Sequence, residues 1–452
     1  MDQILYQYTL NPTTWVYLSS ILIIAIYFKF SRFWSVRNLD LAGLIALAPG
    51  LLLVAQGKGL GQAGVGQDPE VVQFGYVWLF AVGLFFLVRL LGDPMMIRRP
   101  LLEPNLTAGG LTFIGVSLLI FLMANVITAE LTETDLEGAR RLDQLLSRRE
   151  ALPDDQSLTK YGPGYPLLHL LPSIPSKLFT NHDAMLSREE ARKFRWVATA
   201  RTMAIVSHLA VVVGLILIGY RHFDNIRTGV AVATLYLLLP YTAHMTGRVD
   251  HVVPAALLVW AIEAYRRPLV AGMLLGLAVG VIYYPIFLLP LWIAFYWQRG
   301  LLRFIGGVIS MVGLLVLTLV FTSGSVDAFW TQVQSMFGWP HLSLVHVDGF
   351  WDAGKAAYRI TVLAAFVALS GSLALWPAQK NLGTLISCST AIMLGTQFWH
   401  AQGGGLYMAW YLPLLLLTIF RPNLEDRIAL ATLGEGWLER RRGQLRGIVR
   451  AA

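Results

Sequence analysis

A single cysteine, Cys388, occurs in the whole chain, and it lies inside an apolar run. That excludes an intrachain disulfide framework and any CxxC metal or redox site, and it leaves the redox compartment unread. Charge is the next scarcity: Asp, Glu, Lys and Arg make up only 14% of the 452 residues, where a soluble domain carries about 25%. With 56% of the residues hydrophobic, the balance points to lipid as the solvent. The opening MDQILYQYTLNPTT has no Lys or Arg ahead of the first apolar run, so it does not read as a cleavable signal, which needs a positive n-region. A formal charge of +8 would suit nucleic acid, but the cations sit in short clusters between hydrophobic segments, where they set membrane orientation instead. The partner expected from composition is membrane lipid, with no nucleic acid.

What the chain has in abundance is apolar runs near the length that crosses a bilayer. They begin near residues 13, 39, 71, 108, 201, 228, 251, 268, 284, 304, 360, 382 and 405, which predicts an all-α polytopic membrane protein of about thirteen helices. Between 268 and 297 the apolar stretch is interrupted by Tyr283, Tyr284 and Pro285, read as a tight turn between two short spans. Cations should then gather in every second short loop. Lys29, Arg32 and Arg37 do so, followed by Arg98 and Arg99, Arg221 and Arg227, Arg266 and Arg267, Arg299 and Arg303, and Lys380. The tail beginning at Arg421 joins that side, so the expected topology is an outer N-terminus and a cytoplasmic C-terminus in the plasma (inner) membrane. The expected divisions are a three-helix extension over 1–107, a core over 108–304, further membrane helices over 305–420, and a basic cytoplasmic tail over 421–452.

Two outer segments, 128–199 and 323–358, are too long for turns and are the expected seat of function. In the first, Leu131 to Leu146 and Arg188 to Trp196 read as amphipathic helices at the interface. Ionisable groups at the membrane surface are costly and mark candidate sites. Glu130, Glu133, Asp135 and Glu137 follow the fourth span; they suit either a general base or an acidic helix start favoured by the helix dipole. The segment Lys160-Tyr-Gly-Pro-Gly-Tyr-Pro-Leu-Leu-His-Leu-Leu-Pro-Ser173 has a Gly/Pro turn, and beside it Lys160, Tyr161 and Tyr165 suit a sugar or phosphate surface. The hairpin His244-Met-Thr-Gly-Arg248-Val-Asp250-His251 packs four ionisable side chains between two spans, as a binding site or as a pair of helix caps.

In their order, these elements resemble the membrane glycosyltransferases of the GT-C superfold, which use polyprenyl-phosphate sugars. The similarity rests on an acidic group early in a large outer loop, Glu130 to Glu137, then the turn Tyr161-Gly-Pro-Gly-Tyr-Pro-Leu-Leu168. It continues with the hairpin Gly247-Arg-Val-Asp250 and the helix opening Arg266-Arg-Pro-Leu-Val-Ala-Gly-Met-Leu-Leu-Gly-Leu-Ala278. The chain looks most similar to the mannosyltransferase-like group of glycosyltransferase family 87, over about residues 108 to 300. One departure is that the family often has a Lys before the Pro after the Ala/Gly-rich helix, where this chain has Ile282-Tyr-Tyr-Pro285.

The resemblance implies transfer of a sugar, mannose-like in that family, from a polyprenyl phosphate to an acceptor at the outer face. Asp135 or Glu133 would be the base, with Glu137 and Glu130 as substitutes. Arg248, then Lys160, Lys355 and Arg359, would hold the donor phosphate. Asp250, His251, His244, Tyr161, Tyr165, Tyr283 and Tyr284 would bind or orient substrate. Seven of the nine histidines, His169, His182, His244, His251, His341, His346 and His400, fall on the assigned outer side. None has the tight helical spacing of zinc motifs, so no cofactor or metal is assigned, although a divalent ion remains thinkable. The competing readings are a non-catalytic membrane scaffold subunit and a lipid or solute transporter; no related pair of broken-helix halves of the transporter kind is visible.

Overall fold

The structure is a computed structural model that describes residues 11–59, 68–96, 103–146, 161–170, 172–173, 188–338, 347–351 and 355–433. Among these residues there are helices and turns and no strand, only isolated bridges joining Asp348 to Gln402 and Asn381 to Ile428. The order is α1 (Pro12–Tyr27), α2 (Val36–Gly57), α3 (Pro69–Leu91), α4 (Ala108–Thr128), α5 (Glu133–Leu146), α6 (Gly164–Leu168) and α7 (Arg188–Arg221). It continues with α8 (Ile226–Leu238), α9 (Pro240–His244), α10 (Val249–Glu263), α11 (Pro268–Val281), α12 (Leu289–Tyr296) and α13 (Leu301–Thr322). Last come α14 (Val326–Met336), α15 (Tyr358–Leu375), α16 (Leu382–Trp399), α17 (Leu412–Phe420) and α18 (Ala429–Thr432).

Six helices among the described residues are long and apolar enough to cross a membrane, as a multi-pass membrane protein requires. In α4, α13 and α15 only 22% of the apolar stretch is buried inside the protein, and Phe113, Ile120, Ile309 and Phe321 stand more than 60% exposed. Apolar helix faces of that size need lipid or another protein against them. Every apolar run read from the sequence contains helix, but α1, α8, α10, α11, α12 and α17 are shorter than a full span. As the aromatic break predicts, α11 stops at Val281 and the chain resumes in a 3-10 turn over Tyr284–Leu288.

One expectation is corrected. The segment Arg188 to Trp196 is not a separate interfacial helix: it is the start of the 34-residue α7. The junction Val197-Ala-Thr-Ala200 has no Gly or Pro to break the hydrogen-bond ladder, and extending an existing helix is cheaper than nucleating a second one. At about 1.5 Å per residue α7 is about 50 Å long, well over the roughly 30 Å hydrocarbon core, so one end projects beyond the apolar layer. That projecting end carries α5 against it, with Arg192 3.9 Å from Asp143.

Close helix contacts come from small residues. Gly272, Gly276 and Gly280 repeat every fourth residue on α11 and face α13; a Cβ on Gly272 would lie 2.2 Å from the Phe304 carbonyl oxygen. Backbones that approach this closely gain packing that larger side chains would prevent. At the end of the bundle carrying the short cationic loops, a buried charge network joins α2, α3 and the end of α17. Arg89 Nε lies 3.1 Å from Asp40 and its Nη1 2.9 Å from Asp93, while Arg421 Nη2 also bonds Asp93.

Candidate functional site

Residues 129–132 connect the end of α4 to α5, and the helix start is built by its own side chains. Thr132 precedes the first helical residue; its backbone N–H and its hydroxyl donate to Oδ2 of Asp135 at 2.9 and 2.7 Å. This is half of a capping box, with the acid three residues into the helix satisfying the cap's amide. The other oxygen, Oδ1, is buried and accepts no hydrogen bond among the described residues. It lies 3.7 Å from Nε of Arg248.

Arg248 stands at the head of α10 in the hairpin after α9. Its Nε and Nη2 donate to Oδ1 and Oδ2 of Asp250 at 3.0 and 2.8 Å, a two-point match of planar groups that fixes the guanidinium. Burial pulls the Arg248 pKa down, but the adjacent Asp250 carboxylate more than offsets it and holds the pKa above its ordinary value. Asp250 is held in turn: the Tyr161 hydroxyl donates to Oδ2 at 2.8 Å, and Trp410 Nε1 donates to the Asp250 backbone carbonyl at 3.3 Å. Burial first, and the Asp250 charge second, push the Tyr161 pKa well up, so the phenol stays a donor.

Tyr161 reaches this position because its loop docks on the end of α11. Gly162 donates to the Val281 carbonyl at 3.0 Å, and a Cβ on Gly162 would sit 2.3 Å from the Gly280 carbonyl oxygen. Tyr165 stacks on Tyr161 with centroids 4.4 Å apart, and His169 meets Tyr165 edge-on at 5.0 Å. His169 Nδ1–H donates to the Tyr165 carbonyl at 2.9 Å, while its ring abuts Gly138 of α5. Burial depresses the His169 pKa to about 4.

Asp135 and Arg248 both line a cleft of about 680 Å³. Its lining combines apolar side chains, among them Trp15 and Val16 of α1, Leu51 and Leu52 of α2 and Val126 of α4, with Glu130, Thr132, Asp135, His244 and Arg248. Such a shape takes an amphiphile: a chain along the wall and a charged head at the cation.

The predicted residues therefore divide. Asp135, Arg248, Asp250 and Tyr161 form one hydrogen-bonded and ionic network, joined by His251, whose Nε2 is 3.7 Å from Asp250 and whose Nδ1 shares a 2.6 Å hydrogen bond with Tyr241. Glu130 and His244 line the cleft, and burial lowers the His244 pKa. Glu133 is exposed and outside the cleft lining. Glu137 is outside the cleft lining but buried beside the network: it lies 3.8 Å from Arg141, whose guanidinium is 6.0 Å from the Tyr161 ring. Tyr283 and Tyr284 lie outside the cleft lining but pack on its supports: Tyr284 lies 5.2 Å from Trp410 and 4.7 Å from His400, whose ring stacks on Tyr407 at 4.5 Å, and Tyr407 is 4.5 Å from His251. Arg359 neighbours those two tyrosines. Lys355 lies apart, 3.5 Å from Gln73. Neither cation joins the cleft. Lys160, His182, His341 and His346 lie outside the described residues. Sequence reading missed Trp410, Tyr241 and Tyr407 as members of the site; the aromatic run Tyr407-Met-Ala-Trp410-Tyr411 opening the last apolar stretch was the available signal.

Among the described residues no three His, Cys, Asp or Glu side chains converge as a metal-sized group. No protein-family model, curated protein or solved structure matches the chain.

Proposed function

We propose that the chain is a polyprenyl-phosphate-dependent membrane glycosyltransferase of the GT-C type, acting at the outer face of the plasma membrane. The observation that carries this reading is the pairing, in one apolar-walled cleft, of a carboxylate oxygen without a hydrogen bond, Asp135 Oδ1, and a fixed cation, Arg248. The proposal includes about thirteen membrane segments, an outer N-terminus and a cytoplasmic C-terminus, with the short α1, α8, α10, α11, α12 and α17 crossing only in company with their neighbours.

In the proposed reaction the acceptor hydroxyl gives its proton to Asp135 as its oxygen bonds to the anomeric carbon. The bond from that carbon to the phosphate oxygen breaks with inversion, and the electron pair leaves on the polyprenyl phosphate. Arg248 stabilises that charge from an orientation already fixed by Asp250. Tyr161 and Trp410 act through Asp250 as positioning residues.

A scaffold reading has one observation of its own, the capping role of Asp135. Asp135→Asn separates the two, because an amide oxygen still accepts from Thr132 but takes no proton. The full chain, reconstituted in vesicles, is given a panel of radiolabelled polyprenyl-phosphate sugars and acceptors. Transfer by the wild type that falls about 10²-fold to 10⁴-fold in Asp135→Asn, with donor binding retained, supports the enzyme. Undiminished transfer would remove Asp135 as base, and a folded wild type that binds no donor would leave the scaffold.

A further inference from the structure

A second cleft, also about 680 Å³, lies at the opposite ends of α7 and α10 from Asp135, between the α7–α8 and α10–α11 loops. Its lining includes Arg221, His222, Asp224, Glu263, Arg266 and Arg267. Both acids of the lining are already engaged: Glu263 pairs with Arg221, and Asp224 pairs at 2.7 Å with Arg427, which lies outside the lining. Arg266 and Arg267 have no carboxylate within ion-pair distance among the described residues; Arg266 Nε donates only to the Tyr265 hydroxyl, at 3.1 Å. Arg266 and Arg267 are therefore the two lining cations left without a carboxylate partner among the described residues.

His222 supplies the independent sign of a ligand. It is only 3% exposed, its Nε2–H donates to the Glu263 backbone carbonyl at 2.7 Å, and its ring is held edge-on by Tyr265 at 4.8 Å. Its other nitrogen, Nδ1, is buried with no hydrogen bond among the described residues. A buried ring nitrogen left unsatisfied costs free energy unless something at the site meets it.

We propose that this cleft binds a phosphate group, held by Arg266 and Arg267 and met by Nδ1 of His222. Two guanidinium groups match phosphate oxygens in geometry and charge. With the phosphate in place, the protonated ring presents Nδ1–H as a third donor, and the anion offsets the burial that otherwise depresses this histidine. The apolar side chains beside the cleft favour a phosphate that arrives on a lipid. Tyr220, Ile226, Leu269 and Val270 are 59%, 56%, 48% and 39% exposed, placing an acyl-chain surface next to the cations, where a headgroup lies when its tails run along the helices.

The test uses the full chain in nanodiscs of phosphatidylcholine doped with phosphatidylglycerol, with retained lipid counted by native mass spectrometry. A parallel arm offers inorganic phosphate and glycerol 3-phosphate to the protein in purely neutral nanodiscs. Arg266→Gln/Arg267→Gln is compared with Arg32→Gln/Arg303→Gln, which removes two exposed cations elsewhere in the cationic loops. The expected result is retention of phosphatidylglycerol over phosphatidylcholine, weakened about tenfold to thirtyfold by the first pair and less than about twofold by the second. His222→Gln weakens it as well, by an amount a general surface-charge effect would not produce. Binding of soluble phosphate with the same dependence on Arg266 and Arg267 supports the site and assigns it a soluble ligand. Equal losses from both arginine pairs, or no binding of any phosphate, would overturn the proposal.

Discussion

Arg248 is shared unequally between two carboxylates: it grips Asp250 through two nitrogens at 3.0 and 2.8 Å and only approaches Asp135, at 3.7 Å. The inequality separates stability from chemistry. Asp250 is 1% exposed, and Asp250→Asn leaves the guanidinium with only the looser Asp135 contact, at a cost of about 3 kcal/mol, the lower end for a broken buried pair because Arg248 keeps that contact and some solvent. Asp135→Asn loses a loose contact and keeps its cap, so its cost is at most about 1 kcal/mol. Equilibrium unfolding in mixed micelles measures both; equal costs would mean that Arg248 does not discriminate between the two acids.

The network at the other end of the bundle makes a sharper demand. Asp93 is fully buried and holds Arg89 and Arg421 together. Asp93→Ala leaves Arg421 with no carboxylate partner among the described residues, whereas Arg89 retains Asp40 at 3.1 Å. A loss of about 3–5 kcal/mol is expected, seen as low yield of monodisperse protein and early unfolding. The double variant Asp93→Leu/Arg421→Met removes both charges and fills the volume, and should recover most of that loss. A double variant no better than Asp93→Ala would show that the ion pair itself, not the avoidance of an orphan charge, holds this end.

Acid should loosen the loop that carries Tyr161. His169 has a depressed pKa of about 4 in the fold, against about 6.5 when unfolded. Between those values the unfolded chain binds more protons, so stability is fully present above about pH 6.5 and falls as pH drops toward 4. By pH 5 the loss is roughly 2 kcal/mol. Hydrogen exchange of the α5 and α6 amides should accelerate over that window, and His169→Phe, which keeps a ring against Tyr165 and Gly138, should flatten the dependence. An unchanged profile in that variant would assign the acid sensitivity to another group.

Much of this site was legible in the sequence, for a physical reason. Charged residues between apolar spans are expensive, so Asp135, Arg248 and Asp250 stood out without any knowledge of their contacts. The sequence also placed Tyr161 on the same side. What it did not contain was lateral position: Lys355, Arg359, Tyr283 and Tyr284 were assigned to the same face as Arg248, and only the packing of helices separates them from the cleft. The partners of Asp250 were hidden for the same reason, since Trp410 lies 160 residues away along the chain. The break expected before α7 failed because a change from polar to apolar residues is a change of solvent, not of backbone, and nothing at Val197 to Ala200 ends a helix.

The remaining prediction concerns orientation, on which the position of the proposed chemistry depends. Cys388 is 2% exposed, so a Cys388→Ser chain gives a silent background for engineered thiols. Glu133 opens α5, which packs on the projecting start of α7, and Asp224 follows the far end of α7 with its side chain 73% exposed. With cations concentrated in the loops on the Asp224 side, the positive-inside rule predicts a cytoplasmic position for that side. Glu133→Cys should then react with a membrane-impermeant maleimide on intact cells, and Asp224→Cys only after permeabilisation. The reverse pattern would place Asp135 and Arg248 in the cytoplasm and rule out transfer at the outer face. Labelling of both on intact cells would mean that α7 does not cross the bilayer at all.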